Sequence, residues 1–335
     1  MCDTVKTVSS EPALRDRIVR LWDRALHLGA RLAYLNPNAD PRRHGIKLIR
    51  DVAYQQTGRR GHLLDVYVPE GKEGGAALLY IHGGAFALLS KETHRLMALA
   101  FARRGYTVFL ANYRIGPRHR YPAPLEDAAS ALVWVSEHAH EYGADPKRIV
   151  LAGESAGGNL VTTLAYLATH PRPEHMAKPL FDRQLPIQAV LAVYGFLDLE
   201  NLERFRNPNM PWYIRRMIRD AAAAYVGRPV KVRARQAPLA SPLRLLGEDP
   251  PPDARPLPPF FIACGTRDPL LIDSKKLHAV LDARGVPNEL SIHPEEIHGF
   301  NAMLWRREAR AMWRSAYEFL DRWAPAKPAV RRGAA

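Results

Sequence analysis

The sequence predicts an α/β architecture, a mostly parallel sheet with helices on both faces. Three observations carry that expectation. Near-continuous apolar runs of six to eight residues recur along the chain, as strands buried on both faces require. Longer segments with helical periodicity separate them. One junction, "RIVLAGESAGGNL" at 148–160, passes from an apolar run through a glycine-flanked serine into a helical pattern.

The elements follow in chain order. In "ALRDRIVRLWDRALHLGARLAYL" (13–35), Leu14, Ile18, Leu21, Trp22, Ala25, Leu32 and Leu35 recur near helical spacing with arginines between them, which predicts an amphipathic helix outside the sheet. Short runs at 47–54 and 63–68 predict an antiparallel edge. The runs at 76–82, 106–113, 148–153, 188–195 and 259–265 predict the parallel strands. Helical patterns follow Pro124 ("LEDAASALVWVSEHA"), follow Ser155, and fill "LIDSKKLHAVLDARG", which ends at a glycine.

The segment from Phe196 to about Pro238 breaks the alternation, and its "NMPWYIRRMIRDAAAAYVG" predicts another helix outside the sheet. Open α/β sheets bind ligands at the C-terminal ends of their strands, so the two outlying helical segments are expected to cap that edge. The organisation is then an N-terminal helical cap segment at 1–45, the main α/β domain at 46–195 and 237–324, a cap insertion at 196–236, and a disordered tail at 325–335. The proline-rich "EDPPPDARPLPP" is a stiff connector back to the sheet.

Composition excludes several classes. Charged residues are 24% and hydrophobic residues 47% of 335, ordinary for a globular chain large enough to need neither disulfides nor metal. The two cysteines, Cys2 and Cys264, form no zinc-ligand spacing, and Cys264 in "FFIACG" reads as core. No metal or organic cofactor is expected. No apolar run reaches the roughly 18 residues of a membrane span, and "MCDTVKTVSSEP" has no apolar signal core, so a cytoplasmic location is expected. The net charge of +14 is spread along the chain without a nucleic-acid-binding motif, so no nucleic-acid partner is expected.

Gly153-Glu154-Ser155-Ala156-Gly157 is G-x-S-x-G between a strand and a helix. A serine presented on that turn needs neighbours without bulk, which explains the glycines. The backbone N–H of Ala156 opens the helix and can face a developing oxyanion. A serine hydroxyl needs a base, and the base needs an acid to orient it. Asp268 in "ACGTRDPLLID" and His298 in "IHPEEIHGFN" follow strands, in the chain order Ser, Asp, His. Asp198, which also follows a strand, and Asp273, on the predicted helix, are rival acids; Asp268 is preferred. Glu154 is read as bracing the turn. In "YIHGGAF", Gly83 and Gly84 let backbone N–H groups approach substrate, and His82 is expected to orient that loop.

These stretches resemble the hormone-sensitive lipase-like (bacterial family IV) carboxylesterases of the α/β-hydrolase superfamily. "HGGAF" is similar to the family's H-G-G-G loop and "GESAGGNL" to its elbow, while "NYRIGPRHRYPAPLEDA", "ASPL", "DPLLID" and "HGF" match further family stretches in order. The resemblance implies an α/β-hydrolase fold with a helical cap. It implies Ser155 as nucleophile, Asp268 as acid, His298 as base, and Gly83, Gly84 and Ala156 as oxyanion donors. Ala85 stands where the family has its last loop glycine, and Asn112 stands where it has an aspartate.

The expected function is hydrolysis of short- to medium-chain acyl esters through an acyl-enzyme, with a small-molecule ester as substrate. Phe86, Leu89, Trp212 and Tyr213 are candidate walls of an apolar pocket. A deacetylase or acyltransferase acting on a larger alcohol is the alternative within this chemistry. A non-catalytic receptor on the same scaffold is the alternative of another class, and His298 argues against it. Stable membrane insertion is not expected, and the resemblance is compatible with a homodimer.

Overall fold

The computed structural model describes residues 11–71, 74–208 and 210–326. The element order is α1 (Glu11–Ala33), β1 (Ile46–Ala53), β2 (Leu63–Pro69), β3 (Gly75–Ile81), α2 (Arg95–Arg103), β4 (Thr107–Ala111), α3 (Ala123–His138), β5 (Ala144–Glu154), α4 (Ala156–Thr169), α5 (Ala177–Asp182) and β6 (Ile187–Val193). Then come α6 (Trp212–Val226), α7 (Val230–Arg235), α8 (Pro242–Gly247), β7 (Phe260–Gly265), α9 (Leu271–Ala283), β8 (Asn288–His293) and α10 (Arg307–Trp323).

The strands form one sheet in the order β1-β2-β4-β3-β5-β6-β7-β8. The two β2 pairings are antiparallel and every other pairing is parallel. The antiparallel edge therefore falls where the two short runs predict it. Alternation along β3 shows why the central strands read as unbroken apolar runs. Ala77, Leu79 and Ile81 pack into the layer that holds α3, α4 and α9. Ala76, Leu78 and Tyr80 face the opposite layer, built on Phe101 of α2 and Trp313 and Phe319 of α10. Both faces are covered, so both must be apolar; each fully buried Leu or Ile side chain contributes about 1.5–3 kcal/mol.

The two outlying segments are helical, and their contacts differ from those of a greasy lid. Helix α1 docks through polar atoms. Asp23 Oδ1 accepts the Leu89 N–H at 2.9 Å, and the His27 ring lies 2.8 Å from Ser90 Oγ. The Tyr34 hydroxyl accepts the Arg95 N–H at 3.2 Å. Leu21, Leu32 and Leu35, three residues of the apolar pattern that predicts the helix, are exposed. In the insertion, Tyr225 of α6 stacks on Phe86 in the loop after β3. At the other end, Pro325 and Ala326 are ordered: the Ala326 carbonyl accepts the Ala76 N–H at 3.0 Å, and the Pro325 carbonyl accepts from Arg148. The rest of the expected tail lies outside the described residues. Among those residues, no helix is long and apolar enough to cross a membrane, and no cluster of His, Cys, Asp and Glu could hold a metal.

Candidate active site

The C-terminal ends of β3, β5, β7 and β8 lie along one edge of the sheet. From them run the segments that carry His82, Ser155, Asp268 and His298.

Ser155 occupies a one-residue turn between β5 and α4, at φ +54° and ψ −115°. A non-glycine residue held at such a backbone costs about 1–3 kcal/mol and persists only where its surroundings enforce it. The enforcement is visible. A Cβ on Gly157 would lie 2.0 Å from the Ile81 carbonyl oxygen, and one on Gly153 would lie 2.6 Å from the Gly157 oxygen. Glycine here lets the turn press against the end of β3. The Ser155 N–H is held by the Val193 carbonyl at 3.0 Å.

The three residues read from chain order come together. His298 Nε2 is 3.0 Å from Ser155 Oγ, and His298 Nδ1 is 2.8 Å from Asp268 Oδ2. Asp268 is buried, and its other oxygen accepts the Leu270 N–H at 2.8 Å. Burial opposes the charged imidazolium of His298, but the charge and hydrogen bond of Asp268 outweigh it and raise the histidine above its ordinary value. The rival acids are engaged elsewhere. Asp273 accepts the Leu197 N–H and receives Arg204 Nε at 2.6 Å, tying the insertion to α9. Asp198 accepts the N–H groups of Glu200 and Asn201 in its own turn.

The loop after β3 corrects one expectation. The Gly83 N–H does not face the space above Ser155; it donates to Glu154 Oε1 at 2.8 Å. Among the described residues, no carbonyl or side chain takes up the N–H of Gly84, Ala85 or Ala156. The groups free to meet an anion are therefore those of Gly84 and Ala156, joined by Ala85. Ala85 adopts φ +54°, the left-handed backbone that a glycine would favour.

Behind this loop lies a buried polar cluster. Glu154 Oε1 is 2.7 Å from His94 Nε2, and the Tyr80 hydroxyl donates to Oε2. Burial pushes Glu154 up and His94 down, so it disfavours the charged form of each. Burial also lowers His82 to about 3. His82 Nδ1 lies 2.7 Å from the Gly83 carbonyl, and its ring stacks on Tyr113 at 4.4 Å. Asn112, at the family's aspartate position, accepts the Lys91 N–H at 2.7 Å and donates to the Arg60 carbonyl.

Sequence reasoning missed His94 and Tyr194. His94 sits between the 3₁₀ turn Lys91–Thr93 and α2, with no motif around it. The ring of Tyr194 packs 4.6 Å from that of His298, and its φ of +35° marks a bend after β6 that the "VYG" ending could have signalled. The expected pocket walls also need correction. Phe86 is fully buried, stacked on Tyr225 at 4.0 Å and 9°, so its ring packs the core. Trp212 and Tyr213 are 66% and 56% exposed and meet each other edge-on at the start of α6. Leu89 is half-buried and lines a cleft beneath α1.

Comparison with known proteins agrees with this architecture. Residues 78–302 match a family described as alpha/beta hydrolase fold. Carboxylesterase NlhH of Mycobacterium tuberculosis is 32% identical over 231 residues, 67% of this chain and 66% of its own. An acetyl esterase of Salmonella paratyphi A is 32% identical over 228 residues, 67% of this chain and 65% of its own. The chain thus spans just under two thirds of the length of these relatives. The structure of a hyperthermophilic esterase from the archaeon Pyrobaculum calidifontis superposes with a TM-score of 0.69 at 25% identity, covering 89% of this chain and 92% of the other. With the elbow, the H-G-G loop and the strand order in place, the chain belongs to the α/β-hydrolase fold family, in its hormone-sensitive lipase-like branch.

Proposed function

We propose that the protein is a serine carboxylesterase acting on short- to medium-chain acyl esters. One observation carries this: Ser155 Oγ, the His298 ring and Asp268 form a continuous hydrogen-bonded chain of 3.0 and 2.8 Å at the strand ends. His298 takes the proton of Ser155 as the hydroxyl oxygen attacks the acyl carbonyl. Asp268 fixes the tautomer, with Nδ1–H donating to its carboxylate and Nε2 free to accept. The N–H groups of Gly84, Ala85 and Ala156 receive the oxyanion; losing one such donor typically costs roughly 10²–10³ in rate. His298 returns the proton to the leaving alcohol. Water, activated by the same ring, then releases the acid.

The curated relative named acetyl esterase supports a short acyl chain. A cytoplasmic enzyme pairing through β8, the free parallel edge of the sheet, fits the same activity. The test is hydrolysis of p-nitrophenyl esters from acetate to palmitate by wild type and Ser155→Ala. Turnover that peaks at short chains and vanishes in the variant is expected. Equal turnover in the two proteins would refute the assignment.

A further inference from the structure

Between α1 and the edge of the sheet lies a cleft of about 1120 Å³ whose lining takes in His82, Leu89 and Ser90 but neither Ser155 nor His298. Its lining is strongly one-signed. Arg24 and Arg31 come from α1, Arg50 from β1, Arg59 from the turn after β1, and Arg95 from the start of α2. Among the described residues none of these five has a carboxylate partner. This differs from arginines elsewhere on the protein that pair with acids, such as Arg204 with Asp273 or Arg104 with Asp321. The acids in the lining, Asp23 and Glu92, are already committed: Asp23 to the Leu89 N–H, and Glu92 to Lys91 and Arg60. At the cleft wall the Nε of Arg95 is buried with no acceptor.

We propose that this cleft binds an organic phosphate, a phosphoryl group carried on a partly apolar body. Guanidinium groups match phosphate oxygens with paired N–H donors. A cleft lined by one sign of charge concentrates the opposite ion. The volume greatly exceeds what inorganic phosphate fills, and Leu28, Leu89 and Ile115 add an apolar wall for the rest of the molecule. The site stands independently of the esterase assignment, because it needs neither Ser155 nor His298.

The test is calorimetric titration at fixed ionic strength, in a Ser155→Ala background that cannot cleave the hexanoyl esters of the probes, with dihexanoyl phosphatidic acid below its micelle concentration, and with dihexanoyl phosphatidylcholine, which has the same body with a compensated headgroup. Arg50 and Arg59 are exposed and make no side-chain bond that the fold uses, so Arg50→Gln/Arg59→Gln keeps the protein folded. Lys275→Gln/Arg314→Gln removes the same charge from other surfaces. Saturable binding of the phosphatidic acid, at least tenfold weaker in the first variant and unchanged in the second, is the expected result. No saturable binding, equal binding of the phosphatidylcholine, or equal weakening in both variants overturns the proposal. Sedimentation with phosphatidylglycerol vesicles separates the sources of the phosphate. Co-sedimentation that the first variant abolishes identifies a bilayer headgroup; its absence alongside binding of the soluble probe identifies a free metabolite-like phosphate.

Discussion

Gly157→Ala tests the idea that catalysis depends on the elbow pressing against the end of β3. A methyl at this position would sit 2.0 Å from the Ile81 carbonyl oxygen and 2.8 Å from its carbon, and 2.9 Å from the His82 oxygen. Ordinary contact begins near 3.4 Å, so the two backbones must separate by about 1.4 Å. Neither is a flexible side chain that can swing away. The moved groups are the first turn of α4, with the Ala156 N–H, and the residues that carry Gly84 and Ala85. Such overpacking costs about 1–3 kcal/mol of stability. A misplacement of roughly 1 Å between reacting groups costs on the order of 10² in rate. The expected result is therefore a folded protein with modestly lowered urea resistance and kcat reduced about a hundredfold on p-nitrophenyl butyrate. Gly247→Ala, where a methyl meets nothing within 4 Å, serves as the control and should retain full activity. A Gly157→Ala protein with near-wild-type kcat would refute the reasoning, because it would show that the elbow and the loop need not touch.

Two further outcomes follow from the charges in the site. His298 is raised by Asp268 and acts as a base only when neutral, so kcat/KM should climb with pH through a midpoint above 6.5; Asp268→Asn should lower kcat by orders of magnitude and shift that limb toward acid, which a pH–rate profile checks. Arg204→Ala strands the fully buried carboxylate of Asp273, and removing one partner of a buried pair costs about 3–5 kcal/mol. Urea unfolding should show the loss, while the midpoint of the pH–rate profile stays in place because Asp273 does not touch His298.

What was legible in the sequence is what depends on local chemistry. Strands buried on both faces announce themselves as apolar runs, and β3 through β7 do so. The elbow is legible because a serine at φ +54° needs small neighbours. Chain order and strand ends leave both Asp268 and Asp198 in play, the resemblance favours Asp268, and the structure shows where the other carboxylates are spent. The errors lie where a side chain's role is set by residues far away in the chain. The Gly83 N–H is turned toward Glu154, 71 positions on, and no local pattern reveals that. Phe86 and Trp212 are both large aromatics near the cap, yet one is sealed under Tyr225 and the other faces solvent. Helix α1 shows the same limit. Its period predicts the helix, but its seat on the protein is made by Asp23, His27 and Tyr34, which the apolar pattern passes over.

The site draws its parts from regions of unequal permanence. Ser155 rises from β5, a strand flanked on both sides by parallel neighbours, whereas His298 follows β8, which pairs with β7 alone and is only half-covered along most of its length. Local opening is cheapest at such margins, where few apolar contacts must be undone. If His298 and Ser155 act as proposed, heating or mild denaturant is expected to part them while the centre of the sheet is still intact, so hydrolysis of p-nitrophenyl butyrate should fade before the near-ultraviolet circular dichroism does. Reinforcing that border, more than the centre, is then the change expected to keep the site assembled at higher temperature.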